Sequence, residues 1–223
     1  MDRHTEPHWP NSALITIDMQ RDFADEGAFP VAGTSAVVPR LRELVDTYRA
    51  QAKPIFHALR IYLPDGSNAD RVRRAALARG ARIVIPGSEG VQLVGGVLAA
   101  PVVLDTAGLL SGQPQQIGPA EYLLYKPRWN AFYDTRLLAL LAEHEVDTVV
   151  IGGCNYPNCP RATAFGASER DLRVVMASNA LSGFDERSAP EMERIGVQSM
   201  DVARIVAGLR ATDSTSADDL RRG

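Results

Sequence analysis

Cys159 is the residue of this chain whose type and position most directly suggest chemistry. It follows an apolar run at residues 148–151 and a turn, at the point where a helix is expected to begin. The N–H groups and the positive dipole end of a helix N-terminus favour a thiolate and, later, an oxyanion. We therefore interpret Cys159 as a nucleophile whose thiol pKa is lowered. Burial as a small apolar residue is the alternative, because free cysteine is among the most buried residue types.

Asp18 and Lys126 follow two other runs that are typical of strands. Asp18 comes after residues 13–17, and Lys126 comes after residues 122–125. In parallel α/β sheets the chemistry collects at the carboxyl ends of the strands, so both side chains are expected near Cys159. Alternatively, Asp18 could cap a turn and Lys126 could be a surface lysine, since both residue types are mostly exposed.

The order of apolar and amphipathic segments predicts an α/β fold, with three αβα layers around a mainly parallel, Rossmann-like central sheet. Apolar runs predict strands at residues 13–17, 54–59, 147–151 and 173–177. A periodicity near 3.6 residues predicts a helix that begins near Thr34 and further helices at residues 70–78, 135–144, 161–170 and 190–209. We expect one domain over residues 11–209, with flexible tails at residues 1–10 and 211–223.

Residues 80–118 interrupt this alternation. Glycine, proline and short β-rich runs at residues 83–85 and 102–104 predominate there. Such a segment is expected either to lie over the site or to form an ordinary surface loop, since long ordered loops are often but not always functional.

The composition limits the class of protein. The chain has 223 residues, 45% of them hydrophobic, and a net charge of −3, which suits one domain with a sizeable core. A nucleic-acid surface would need a basic stripe, and the basic cluster at residues 71–74 is interpreted as a solvated helix face. The polar start and the lack of an apolar run of roughly 18 residues predict a soluble cytoplasmic protein with no membrane partner.

Two cysteines raise the question of a disulfide or a metal. A disulfide is unusual in a reducing cytosol and would consume the nucleophile. A structural zinc on Cys154 and Cys159 would need two further ligands, and no clear second pair is found among His4, His8, His57 and His144. We therefore predict free thiols and no cofactor.

Three segments, taken in order, resemble one known family. They are Ile-Asp-Met-Gln-Arg-Asp-Phe at residues 17–23, Tyr-Lys-Pro-Arg-Trp-Asn-Ala-Phe at residues 125–132, and the glycine-to-cysteine segment at residues 153–159. The ordered set resembles the isochorismatase-like cysteine hydrolase superfamily, which includes nicotinamidases, carbamoylsarcosine amidohydrolases and ureido-acid hydrolases. The resemblance extends from about Asn11 to Leu209.

This resemblance implies an Asp-Lys-Cys triad at Asp18, Lys126 and Cys159. Such an enzyme would work without a metal and cleave a C–N bond of a small amide, ureido or carbamoyl compound through a thioester. Asp18 would move the proton, and Lys126 would stay protonated. Relatives commonly form dimers or tetramers, so a homo-oligomer is expected. One alternative is an isochorismatase-type vinyl ether hydrolase, but such relatives work without a cysteine at this position, so the presence of Cys159 counts against it. The other alternative is a non-catalytic binding protein on the same fold.

The resemblance also implies an oxyanion site. In relatives a cis peptide before the cysteine helps to form it, and the matching bond here is Cys154–Asn155, with Cys159 contributing as well. A non-proline cis bond costs about 3 kcal/mol, so it is kept only for a purpose. Relatives usually have Thr-Asn or Thr-Asp before the cysteine, whereas this chain has Tyr-Pro-Asn at residues 156–158, so the shape of the pocket cannot be borrowed.

Aromatic and basic residues near the triad positions are candidates for substrate binding. Aromatic rings would stack on a flat substrate, and an arginine would bind a carboxylate in bidentate fashion. The candidates are Phe23, Arg60, Trp129, Tyr156 and Arg161. Phe132 is interpreted as core packing. His57 stands alone where nicotinamidase-like relatives carry an Asp-x-His…His zinc site, so we predict that it is packed or lines the pocket.

Overall fold

The computed structural model describes residues 2–219, with side chains up to residue 211. Its strands are β1 (Ser12–Ile17), β2 (Ile55–Leu59), β3 (Gln115–Gly118), β4 (Glu121–Tyr125), β5 (Thr148–Gly153), β6 (Arg173–Leu181) and β7 (Gln198–Met200). They form one sheet in the order β3-β4-β2-β1-β5-β6-β7. Neighbouring strands are parallel except for β3 and β4, which are antiparallel. The predicted mainly parallel sheet is confirmed.

Helices cover both faces of this sheet. Within the described residues they are α1 (Thr34–Ala50), α2 (Arg71–Ala78), α3 (Thr106–Leu110), α4 (Leu137–Glu143), α5 (Cys159–Ser168), α6 (Ser188–Glu193) and α7 (Val202–Asp219), with short 3-10 turns at Trp9–Asn11, Arg21–Phe23 and Glu89–Val91. Buried residues of α1 and α7 pack on one face, and those of α4, α5 and α6 pack on the other. This arrangement is the predicted three-layer fold.

Burial on both faces explains the sequence of the central strands. Every residue of β1 and of β5 is buried, as expected for parallel strands that are covered by helices on each side. Helix α1 buries Leu41, Leu44, Val45 and Tyr48, whose spacing of three and four residues places them on a single helical face.

The predicted helix at residues 190–209 is wrong. That stretch contains the end of α6, then β7, then the start of α7. Gly196 adopts a positive φ of 75° after α6, a conformation that favours glycine, and the chain then enters the sheet edge, where β7 pairs with β6 in parallel. Strand β7 has only three residues, Gln198–Met200, which are too few for periodicity to separate a strand from a helix.

Residues 80–118 combine loops with short elements. The runs at residues 83–85 and 102–104 are not strands, and the segment instead supplies α3 and β3. Residues 91–94 support the loop after β1, because Arg21 donates its N–H to the Gln92 carbonyl at 2.8 Å and Val94 donates its N–H to the Met19 carbonyl at 2.9 Å. The segment therefore helps to hold the loop that follows Asp18 in place.

The predicted N-terminal tail contacts the fold, and part of the predicted C-terminal tail is helical. His8 donates its backbone N–H to Thr148 Oγ1 at 3.0 Å, Trp9 packs against the core, and the backbone of α7 continues to Asp219. Met1 and residues 220–223 lie outside the described residues, and the flexibility of the tails stays a prediction. No helix in the described part of the chain combines the length and apolar character that a membrane crossing requires.

Candidate active site

Three chain segments bring the predicted catalytic residues to one edge of the sheet. Asp18 follows β1, Lys126 follows β4, and Cys159 is the first residue of α5, after the turn that leaves β5. Strand β2 joins β1 to β4, and β5 lies on the other side of β1, so these ends converge. The three residues are 5%, 0% and 7% exposed, respectively.

Asp18 and Lys126 form a buried ion pair. Lys126 Nζ donates to Asp18 Oδ2 at 2.8 Å. The other carboxylate oxygen, Oδ1, is buried and has no hydrogen-bond partner within the described residues. Buried carboxylate oxygens are ordinarily hydrogen-bonded, so Oδ1 is a vacant acceptor inside the pocket.

The backbone of Asp18 is also unusual. Its φ is 51°, in the left-handed region that few residues other than glycine adopt, although Asp tolerates it better than most. Its N–H donates to the Ala58 carbonyl at 2.9 Å, which keeps the residue attached to β2 while the chain leaves the sheet. Backbone strain of this kind concentrates at functional sites.

Burial raises the pKa of the Cys159 thiol, and the nearby Asp18 carboxylate raises it further, against the opposing effects of Lys126 and Arg60. The predicted lowering of this pKa is therefore wrong. Position at a helix start favours a thiolate, but removal of the sulfur from water outweighs that effect. The resting thiol is neutral, so attack on a carbonyl needs a base.

Cys154 also lines the pocket, but it is a weaker candidate nucleophile. Both cysteines are free thiols, and burial raises the pKa of Cys154 to about 12. The Arg60 guanidinium approaches the other thiol, with Nη2 at 3.8 Å from Cys159 Sγ. Lys126 and Arg60 therefore favour the thiolate form of Cys159.

The turn between β5 and α5 presents two backbone donors. The N–H groups of Asn155 and Cys159 have no hydrogen-bond acceptor within the described residues, whereas the N–H of Cys154 donates to the Ile17 carbonyl at 2.9 Å. Of the three predicted oxyanion residues, Asn155 and Cys159 can thus serve through their N–H groups, and Cys154 cannot.

The predicted cis bond is absent, because the Cys154–Asn155 peptide is trans. The chain turns out of β5 at Gly153, which adopts a positive φ of 123°. A Cβ at this position would lie 2.3 Å from the Ile17 carbonyl oxygen, so only glycine lets the chain approach β1 this closely.

Arg60 is held rigidly beside the thiol. Its Nη1 donates to Asp70 Oδ2 at 2.7 Å and to the Pro127 carbonyl at 3.2 Å, and Tyr62 donates its hydroxyl to the same Asp70 oxygen at 2.9 Å. The Gln20 side-chain amide binds both the N–H and the carbonyl of Arg60, at 2.8 and 2.7 Å. The guanidinium is therefore a fixed part of the pocket wall.

Three of the five predicted substrate-binding residues, Phe23, Arg60 and Trp129, line the pocket, which is partly open to solvent. Tyr156 and Arg161 do not. Tyr156 packs against Phe184 at 4.8 Å between ring centroids, and Arg161 pairs with Glu191. Both side chains contact Glu191 of α6 instead. Phe132 lies in the core, as predicted.

The pocket also contains residues that sequence reasoning missed, among them Tyr62, Asp70, Arg73 and Asn158. The first three lie in or just after the loop that follows β2. Loops at the carboxyl ends of parallel strands usually supply binding residues, which was the available signal. Arg73 belongs to the cluster that was interpreted as a solvated helix face.

His57 belongs to a polar network away from the pocket. Its Nδ1 lies 2.7 Å from Thr16 Oγ1, and its Nε2 lies 2.8 Å from Glu121 Oε1, which also binds Arg49. Both ring nitrogens are thus occupied, and the described residues contain no group of three or more His, Cys, Asp or Glu side chains arranged for a metal. The residues present do not fit the zinc site of nicotinamidase-like relatives, and His57 is packed.

Comparison with known proteins places the chain in a family. Residues 12–105 and 109–204 match the isochorismatase domain. A probable inactive nicotinamidase from Arabidopsis thaliana is 29% identical over 198 residues, which cover 86% of this chain and 92% of that protein.

Solved structures share the same architecture. An isochorismatase family protein from Desulfovibrio vulgaris superposes with a TM-score of 0.75 at 29% identity, covering 90% of this chain and 98% of the other. The N-carbamoylsarcosine amidase of Thermoplasma acidophilum superposes with a TM-score of 0.68 at 22% identity, covering 86% and 96%. Because the domain match spans nearly the whole length of the fold, this chain belongs to the isochorismatase family.

Proposed function

We propose that this member of a hydrolase family is a cysteine hydrolase that cleaves a C–N bond of a small amide, ureido or carbamoyl compound. One observation carries the proposal. The Asp18 carboxylate binds Lys126 through Oδ2 and keeps Oδ1 vacant, in the pocket that also holds the neutral thiol of Cys159. A carboxylate oxygen that can accept a proton and a thiol that must lose one thus share a buried site.

The first half of the reaction forms a thioester. Asp18 Oδ1 takes the proton of Cys159 Sγ as the sulfur bonds to the carbonyl carbon, and the carbonyl oxygen becomes an oxyanion. The N–H groups of Asn155 and Cys159 bind this oxygen, a type of contact worth about 3 kcal/mol per donor in other enzymes. When the carbonyl re-forms, the C–N bond breaks and the nitrogen leaves with the proton from Asp18.

The second half restores the enzyme. A water molecule attacks the thioester carbon, and Asp18 takes its proton. The C–S bond then breaks, the acid leaves, and the departing sulfur recovers its proton from Asp18. Lys126 remains protonated throughout and balances the charge of the carboxylate, so a single acid–base group serves both halves.

The similar proteins include both an amidase and a protein named as probably inactive. One structural neighbour is an N-carbamoylsarcosine amidase, whereas the relative from Arabidopsis thaliana is a probable inactive nicotinamidase. The second comparison favours a binding protein on the same fold as the competing function. Retention of Asp18, Lys126 and Cys159 together in one pocket supports catalysis.

Ammonia release separates these functions. The protein should be incubated with a panel of small primary amides and ureido acids, and Cys159→Ala should abolish the release that the wild type gives. Cys154→Ala is the matched control and should retain activity. A wild type that releases no ammonia from any compound, or a Cys159→Ala variant as active as the wild type, would contradict the proposal.

A further inference from the structure

The charged side chains that line the pocket are matched in pairs except at one position. Asp18 pairs with Lys126 at 2.8 Å, and Asp70 pairs with Arg60 at 2.7 Å. Arg73 also lines the pocket, and it forms no ion pair with any acidic residue that the structure describes. The pocket with a neutral Cys159 thiol therefore carries one uncompensated positive charge.

The surroundings of Arg73 leave its hydrogen-bond donors available. It lies in the first turn of α2, half-buried, and its guanidinium carbon stands 4.8 Å from the centroid of the Phe29 ring. This contact with the ring uses no hydrogen-bond donor, and the side-chain N–H groups of Arg73 have no acceptor among the residues that the structure describes. A guanidinium with free donors can bind a carboxylate in bidentate fashion.

The other arginines near the site cannot take this role. Arg60 uses Nη1 on Asp70 and on the Pro127 carbonyl, and its Nη2 faces Cys159 Sγ. Arg161 pairs with Glu191 outside the pocket. A substrate anion would thus meet Arg73 without displacing an existing ion pair, and breaking a buried pair is costly.

We propose that Arg73 binds a carboxylate of the substrate, so that the compound cleaved at Cys159 is an amido or ureido acid rather than a neutral amide. This inference rests on the proposed function, since it names the class of substrate for the same site. Arg73 would bind the substrate and select for its carboxylate, whereas Asp18 and Cys159 would carry out cleavage of the C–N bond.

Kinetics on matched pairs of compounds test the inference. Succinamate and N-carbamoylglycine carry a carboxylate, and succinamide and N-carbamoylglycinamide are their neutral counterparts. The wild type should prefer the acids in kcat/KM, and Arg73→Gln should reduce that preference about 10-fold or more, mainly through KM. Arg73→Lys should restore part of it. Arg71→Gln removes the same charge from an exposed position of α2 and should leave the preference intact.

A binding measurement makes the result independent of turnover. Dicarboxylates of two to six carbons should protect Cys159 from iodoacetamide better than their diamides do, and Arg73→Gln should remove the difference. Acid-selective protection without any hydrolysis would keep this subsite and refute the proposed function. Hydrolysis without preference for acids, equal loss of preference in Arg71→Gln, or no protection by any acid would overturn the subsite.

Discussion

Lys126 Nζ binds one oxygen of the Asp18 carboxylate at 2.8 Å, and the other oxygen, Oδ1, has no hydrogen-bond partner in the part of the chain that the structure describes. Both side chains are almost completely buried. This asymmetry gives a single carboxylate two tasks, since Oδ2 anchors the side chain to a cation while Oδ1 is available to a proton. Burial and Asp18 raise the pKa of the Cys159 thiol. The thiol therefore keeps its proton until an acceptor takes it during the reaction.

We predict that iodoacetamide modifies Cys159 and leaves Cys154 unmodified. The thiolate is the reactive form, and burial raises the pKa of Cys154 to about 12, whereas Lys126 and Arg60 oppose the rise at Cys159. Labelling of Cys159 should increase with pH through a midpoint above the ordinary value of about 8.5. Peptide mass spectrometry after labelling at several pH values measures both sites, and equal labelling would refute the assignment.

Lys126→Met should destabilise the fold by about 3–5 kcal/mol, because it leaves the Asp18 carboxylate buried without its cation. The double variant with Asp18→Asn removes both charges and should recover part of this loss. Urea unfolding of the two variants beside the wild type measures the difference in free energy of unfolding. A single variant as stable as the wild type would show that the pair is not the buried contact described here.

His57 should make the stability of the protein depend on pH. Burial lowers its pKa in the folded state, so the unfolded chain binds a proton that the folded chain does not. The contribution of His57 to the free energy of unfolding is therefore complete above the unfolded-state pKa of about 6.5. It is lost as the pH falls below that value, by up to about 1.4 kcal/mol per pH unit.

The variant His57→Gln, which keeps an amide beside Thr16 and Glu121, should flatten the stability curve between about pH 7 and 5. His4→Gln, at an exposed position, is the control and should follow the wild type. Identical curves for the wild type and His57→Gln would show that the histidine does not titrate on unfolding.

Activity should survive dialysis against a chelator. His57 is occupied on both ring nitrogens by Thr16 and Glu121 and is unavailable as the first ligand of a zinc site. The measurement is ammonia release from any accepted substrate before and after dialysis, with metal content determined in parallel. Loss of activity that zinc restores would show that metal independence is wrong.

The sheet and the three candidate catalytic residues were predictable from the sequence because each depends on local pattern. The buried runs of β1 and β5 are apolar throughout, and Asp18 and Lys126 each follow a strand directly. The edge strand β7 was missed because three residues carry too little periodicity to separate a strand from a helix.

The pocket was harder to predict because it depends on side-chain direction and burial. Tyr156 and Arg161 are close to Cys159 in sequence, yet their side chains contact Glu191 of α6. Arg73 is distant in sequence and lines the pocket. The raised pKa of the Cys159 thiol could not be predicted for the same reason. Desolvation of the sulfur depends on the folded chain, and it raises the pKa more than the helix N-terminus lowers it.

The central claim, that Asp18 takes the proton of Cys159, is tested most directly by one variant measured in two ways. In Asp18→Asn the thiol loses the carboxylate that raises its pKa, so alkylation of Cys159 near neutral pH should become faster. Hydrolysis should nevertheless fall by about 10²–10⁴ in kcat/KM, because no group remains to carry the proton to the leaving nitrogen. Faster alkylation with slower hydrolysis is the predicted result, and near wild-type hydrolysis of an unactivated amide by Asp18→Asn would contradict the account.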